Sequence, residues 1–147
     1  MTDKKHQIHE FSPTIYPFKL WVSVNPSFED VKDKFWLLNN DNERIDFDAD
    51  KSWNSTTTVA SCYPVSDKES GWIGIFCGVF RKDRLSVGVA AHEASHITDF
   101  ISDSFGLSGF NFDDGEARAY LVEWAANCIW NVKSLSLIHI SEPTRRR

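Results

Sequence analysis

The chain is poor in the residues that mark several protein classes. It has three cysteines in 147 residues, Cys62, Cys77 and Cys128, an odd number with no C-x-x-C pair. That argues against a disulfide framework or a cysteine-paired zinc knuckle, and predicts buried free thiols of a reducing compartment. No run approaches the roughly 20 apolar residues of a membrane span. The start, Met1 to Gln7, carries charges with no apolar stretch behind them. No secretory signal is visible there, so a cytoplasmic location is expected. Positive charge is scarce: 16 Lys and Arg against 21 Asp and Glu leave a formal charge of −5. Such a surface repels phosphate backbones and disfavours a nucleic-acid partner. Internal repeats are lacking too.

Aromatic residues are abundant. Six tryptophans and eleven phenylalanines, within a composition 41% hydrophobic, suffice for the core of one domain. They are expected to fill a core made largely by a small sheet. The sharper alternative, that a few line an apolar substrate groove, stays open.

Residues 1–12 are polar and expected to be disordered. Ile15 to Val24 alternates apolar residues with others and predicts a strand, with Pro13 and Pro17 confining its start to an edge or loop. Ser27 should cap a short helix running through Phe28, Val31, Phe35 and Leu38. Asn39 to Ser55 reads as a long polar loop with a short strand near Arg44 to Phe47. Its Asp41 to Asp50 stretch lacks the order of a calcium-binding EF-hand, so a solvated loop is expected. Thr56 to Tyr63 and Gly71 to Phe80 predict two further strands joined through 64–68, and Arg81 to Arg84 a turn. The expected fold class is α+β: a small, mostly antiparallel sheet, then two packed helices, in one domain spanning 1–134.

The first of those helices carries His92-Glu93-Ala94-Ser95-His96, which reads H-E-x-x-H. At this composition the pattern arises by chance in roughly one such chain in a hundred. Val87, Ala90, Ala94, Ile97 and Ile101 form a core stripe at helical spacing, Ser86 is the expected N-cap, and Gly106 the expected stop. The histidines fall off the stripe, toward the edge where a cleft would lie. Two imidazoles four apart on a helix share a face and can hold one zinc ion. The glutamate between them can then act as general base on a zinc-activated water.

Catalytic zinc usually takes three protein ligands. Asp99, Asp103, Asp113, Asp114, Glu116, Glu123 and His139 are the downstream candidates. Residues on the motif helix itself are badly placed to close a tetrahedral site. Glu116 opens the second helix and can arrive from another direction. It also fits a capping box after Asp113, where the helix dipole would favour it anyway. Beside the histidine pair, the ligand role is preferred.

These residues resemble the gluzincin zinc metallopeptidases. The nineteen residues between His96 and Glu116 match the spacing of the thermolysin-like branch. The local pattern, with Glu116-x-x-Ala119-Tyr120, is also similar to small zincin-like proteins of bacteriophages. The likeness covers about residues 70 to 132. It implies a zincin-like fold, one zinc per chain on His92, His96 and Glu116, Glu93 as general base and proton shuttle, and a peptide or protein substrate. Zincins pair an extended substrate with a strand beside the cleft, and residues 72–80 are the expected strand. The thermolysin pattern has an aspartate four residues after the third ligand, where this chain has Tyr120. Asp99 or Asp103, or a backbone carbonyl, would then orient a ligand histidine. Tyr120 is a candidate oxyanion donor, with surface packing as its alternative. The metzincin pattern fails, because this chain has Asp99 and Ser102 where that pattern needs glycine and a histidine or aspartate. The competing class is a non-catalytic, zinc-stabilised phage accessory or interaction domain, or a degenerate fold that binds a partner without metal. The loop from Gly106 to Asn111 would border the cleft in either case.

The residues from Leu135 to Arg145 resemble the translation of a sequencing adaptor, so 135–147 are expected to be a non-native tail that does not continue the helix. On that reading His139 is no ligand and Arg145 to Arg147 form no basic patch. Setting the tail aside removes three arginines and one glutamate and takes the charge to −7.

Overall fold

The computed structural model describes residues 6–48, 53, 58–106 and 115–141, with side chains through Leu135. The described chain is mixed α+β, with a six-stranded, mostly antiparallel sheet and three α-helices. The strands are β1 (His9–Phe11), β2 (Lys19–Val24), β3 (Phe35–Leu38), β4 (Arg44–Ile45), β5 (Ala60–Asp67) and β6 (Ile73–Val79). The helices are α1 (Phe28–Lys34), α2 (Val87–Phe105) and α3 (Glu116–Ser141), with one 3₁₀ turn at Lys82–Arg84. Across the sheet the order is β1-β2-β6-β5-β3-β4, and β2 with β6 is the parallel pair.

Alternation along the strands sorts the core into two halves. Leu20, Val22, Ile75, Cys77 and Val79 face α2 and α3 and pack on Ala94, Ile97, Ile101, Ala125 and Ile129. Each fully buried aliphatic side chain there contributes roughly 1.5–3 kcal/mol. The opposite face packs Trp21, Phe35, Tyr63 and Phe76 against Val31 of α1 and against Phe47 and Trp53. The aromatic surplus therefore fills a core. Gly74 is obligatory where β2 meets β6, because a Cβ there would collide with the Lys19 carbonyl oxygen.

Several expectations need correcting. His9–Phe11, in the stretch expected to be disordered, forms an edge strand on β2, and Trp21 Nε1 donates to Glu10 Oε1 at 2.9 Å. Ser27 caps α1 as predicted, its hydroxyl accepting from the Asp30 N–H. The helix nevertheless stops at Lys34, and Phe35–Leu38 turns into β3, because pairing with β5 outweighs the helical spacing. Pro64, expected in a connection, lies inside β5. Phe80 donates to the Val59 carbonyl and Asp67 to that of Trp72, each at 2.8 Å. Hydrogen-bonded pairs alternate along an antiparallel ladder, so Pro64 opposite Ile75 occupies a position where β6 needs no N–H.

Ser86 caps α2, accepting from Val89 at 3.1 Å, and Gly106 ends it in the left-handed region at φ 62°. Val87 is 72% exposed and leaves the expected core stripe, since the start of the helix, Ser86 to Gly88, is exposed. Helix α3 continues through Ser141, past the expected end at 134. Leucine, isoleucine and serine are all tolerated in a helix, and the first proline after Glu116 is Pro143. Lys133 ties α3 to the entry of α2 by donating to the Leu85 carbonyl at 2.8 Å. Among the described residues no helix is long and apolar enough to cross a membrane.

Candidate metal centre

Helix α2 lies across the sheet with its Glu93, Ala94, Ile97 and Ile101 side buried and its His92 and His96 side at the surface. One helical turn separates the histidines, and their Nε2 atoms come within 3.2 Å of each other. Glu93, one position on, points inward and is 5% exposed. Its Oε2 lies 3.8 Å from His92 Nε2. The ligand-type atoms of His92, Glu93 and His96 all fall within 4.8 Å of one another.

The spacing can be tested against a bound ion. Nitrogens about 2.0–2.1 Å from a tetrahedral metal lie about 3.3 Å apart, close to the Nε2 separation observed. The donor set therefore fits a single metal ion, although two imidazoles suit zinc, copper, iron and nickel alike. Nothing in the group singles out zinc.

The three residues open into a cleft of about 490 Å³. Its floor is β5, through Ala60, Ser61, Cys62 and Pro64, with Ile75 of β6. Asp99, Phe100 and Asp103 continue the α2 wall. The strand beside the helix is therefore mainly β5. Strand β6, expected there, is paired on both sides by β2 and β5 and presents no edge. Phe100 is the one aromatic side chain lining this cleft among the described residues.

Glu116 is the first residue of α3 and is exposed. It lies outside the His92–Glu93–His96 group. The neighbouring turn is tied to α2, because Arg118 Nη2 donates to Asp99 Oδ1 at 3.0 Å. Asp99 thus pairs with Arg118 of α3. Tyr120 is 65% exposed and does not line the cleft. Asp113, Asp114 and the Leu107–Asn111 part of the inter-helix loop lie outside the described residues.

Sequence reasoning passed over Cys62. Its thiol is 3.8 Å from the Glu93 carbonyl oxygen. The Cys77 thiol beside it, burial and the nearby Glu93 carboxylate push the Cys62 thiol well above its ordinary range. Cys128, on α3, does not line the cleft, and burial pushes its thiol up to about 12. The signal for Cys62 was its distance from the hairpin turn. Cys62 and Cys77 each stand five residues from the closing pair Asp67 and Trp72.

No protein-family model matches the chain, and no curated protein or solved structure is detectably similar to it.

Proposed function

We propose that this protein is a zinc-dependent metallopeptidase with a zincin-like fold. The observation that carries the proposal is the convergence of His92 and His96 Nε2 at 3.2 Å with the buried Glu93 carboxylate beside them. His92 and His96 hold the metal, and Glu116 is the third ligand. The Arg118–Asp99 bond supports that assignment by holding the first turn of α3 against α2, three residues past His96. Zinc in such a set supplies a Lewis acid for the scissile carbonyl and lowers the pKa of water toward neutrality.

Glu93 is the general base. Its carboxylate takes a proton from the attacking water and passes it to the leaving amine. The buried setting of Glu93 on the α2 wall of the cleft limits competing water. The peptide lies along the outer edge of β5. Pairing with β3 ends at Leu37–Val65, and the N–H and C=O of Ala60 and Cys62 point away from β6. An extended substrate can add there as a strand.

A non-catalytic, metal-binding interaction domain is the second reading, because Glu116 outside the histidine group withholds the third ligand that catalytic zinc usually takes. One experiment separates the two. The full chain, purified without a histidine tag, is analysed for zinc and for cleavage of a mixed peptide library, beside Glu93→Gln and Glu116→Ala. The peptidase reading expects about one zinc per chain, its loss with Glu116→Ala, and retained zinc but turnover lowered about 10²–10⁴-fold with Glu93→Gln. Zinc without cleavage supports the interaction domain. A folded chain that takes up no zinc on incubation overturns both.

A further inference from the structure

Cys62 and Cys77 are cross-strand partners in the β5–β6 ladder. The hydrogen bonds from Phe80 to Val59 and from Asp67 to Trp72 fix the phase of that ladder. Odd-numbered β5 residues form the hydrogen-bonded pairs, so Cys62 opposite Cys77 is a non-hydrogen-bonded pair. Side chains come closest at such positions, with Cα atoms about 4.5 Å apart. That separation lies within the range of about 4.4–6.8 Å spanned by disulfides. Both side chains face α2, and the Cys77 thiol is the main neighbour that pushes the Cys62 thiol up. Cys77 is fully buried, while Cys62 is partly exposed and lines the cleft.

We propose that Cys62 and Cys77 form a reversible dithiol–disulfide pair in the floor of the cleft, directly beneath Glu93. A peroxide is the oxidant. It enters through the cleft and meets Cys62, whose sulfur attacks the peroxide oxygen. The O–O bond breaks, Cys62 becomes a sulfenic acid, and one water leaves. The Cys77 sulfur then attacks the Cys62 sulfur, the S–O bond breaks, and the sulfenic hydroxyl leaves as a second water with the Cys77 thiol proton. In total two thiols lose two electrons to one peroxide and gain one S–S bond. Glutathione reverses the step by thiol–disulfide exchange. The order of attack follows from exposure, because Cys62 is reachable and Cys77 is not.

Closure draws the Cys62 sulfur toward Cys77 and away from the Glu93 carbonyl, 3.8 Å from it in the dithiol form. Oxidation therefore alters the support of the residue at the centre of the cleft. The pair forms whether or not a metal is bound, so its test is independent of peptidase activity.

The test uses the folded full chain, treated with hydrogen peroxide, alkylated under denaturing conditions and digested. The expected product is lighter by two hydrogens, with one linked peptide pair joining Cys62 to Cys77 and Cys128 still alkylated. Dithiothreitol should restore alkylation of both. In Cys77→Ser, Cys62 should proceed to sulfinic acid instead. Cys128→Ser should leave the linkage unchanged. Alkylated Cys62 and Cys77 with no link after oxidation, a link to Cys128, or sulfinic acid at Cys62 in the unaltered chain would each overturn the proposal.

Discussion

Asp67 and Glu93 are both buried carboxylates, 6% and 5% exposed, in opposite surroundings. Asp67 ends β5 on the aromatic face. Its Oδ2 accepts from the Ser70 N–H at 2.8 Å and the Ser70 hydroxyl at 2.6 Å, and its Oδ1 faces Lys34 Nζ at 3.0 Å. Burial alone would push Asp67 up, but the Ser70 bonds and the Lys34 ammonium outweigh it and hold its carboxyl below the usual range. Glu93 lies on the other face, with His92 at 3.8 Å and the Cys62 thiol as neighbours. Among the described residues no lysine or arginine pairs with it. One face of the sheet uses its acid to close a hairpin, and the other holds its acid beside two histidines at a cleft.

The largest effect should come from Asp67→Asn. The change keeps the shape but removes the charge that binds Lys34 and strengthens the Ser70 bonds. Hydrogen bonds to charged groups are worth roughly 1.5–3 kcal/mol, so urea denaturation at pH 7 should show a loss of about 2–3 kcal/mol. The pH dependence carries a sign. A carboxyl whose folded value is depressed stabilises the fold above its unfolded value near pH 3.9 and loses that stabilisation as the pH falls through its folded value. The gap between parent and variant should therefore be full at pH 6 and shrink toward pH 3. A constant gap would mean that Asp67 acts through packing.

Glu93→Gln should change stability by less. The glutamine is close in shape and leaves no lysine or arginine unpaired, so the change should stay within about 1 kcal/mol, or roughly 2–5 °C in melting temperature. The comparison belongs to metal-free protein, prepared with a chelator and followed by thermal denaturation. A clear fall in melting temperature would place Glu93 with Asp67 as a structural acid and erase the distinction.

How much of this was legible in the sequence follows the range of the forces involved. Ser27, Ser86 and Gly106 were found because capping is local chemistry, settled within three or four residues. The histidine pair was legible for the same reason, since one turn of helix fixes its geometry. The β3 strand was misread because Phe35 and Leu38 continue the helical spacing of Val31. Only the distant partners Val65 to Asp67 turn that segment into a strand. The central position of β6 depends on a parallel pairing with β2 that no local pattern announces. The approach of Cys62 to Glu93 required both the β5–β6 register and the docking of α2 on the sheet. Glu116 shows the limit from the other side: spacing named it, and its orientation depends on how α3 docks on α2.

The smallest stability effect, and the most discriminating, should come from Arg118→Ala. The Arg118–Asp99 pair is largely at the surface, with side chains 31% and 56% exposed. Pairs of that kind contribute about 0.2–1 kcal/mol, so the melting temperature should barely move. Metal affinity is a different quantity. If the bond holds the first turn of α3 where Glu116 can reach the metal, releasing it removes a positioning contact. Such contacts typically cost about tenfold or more in affinity. Competition against a zinc-chelating dye would read the change, with the melting temperature as the internal control. A tenfold loss of zinc affinity in a chain of unchanged stability would tie α3 to the centre. Equal affinity would confine the site to α2 and leave Glu116 as the surface carboxylate at a helix start.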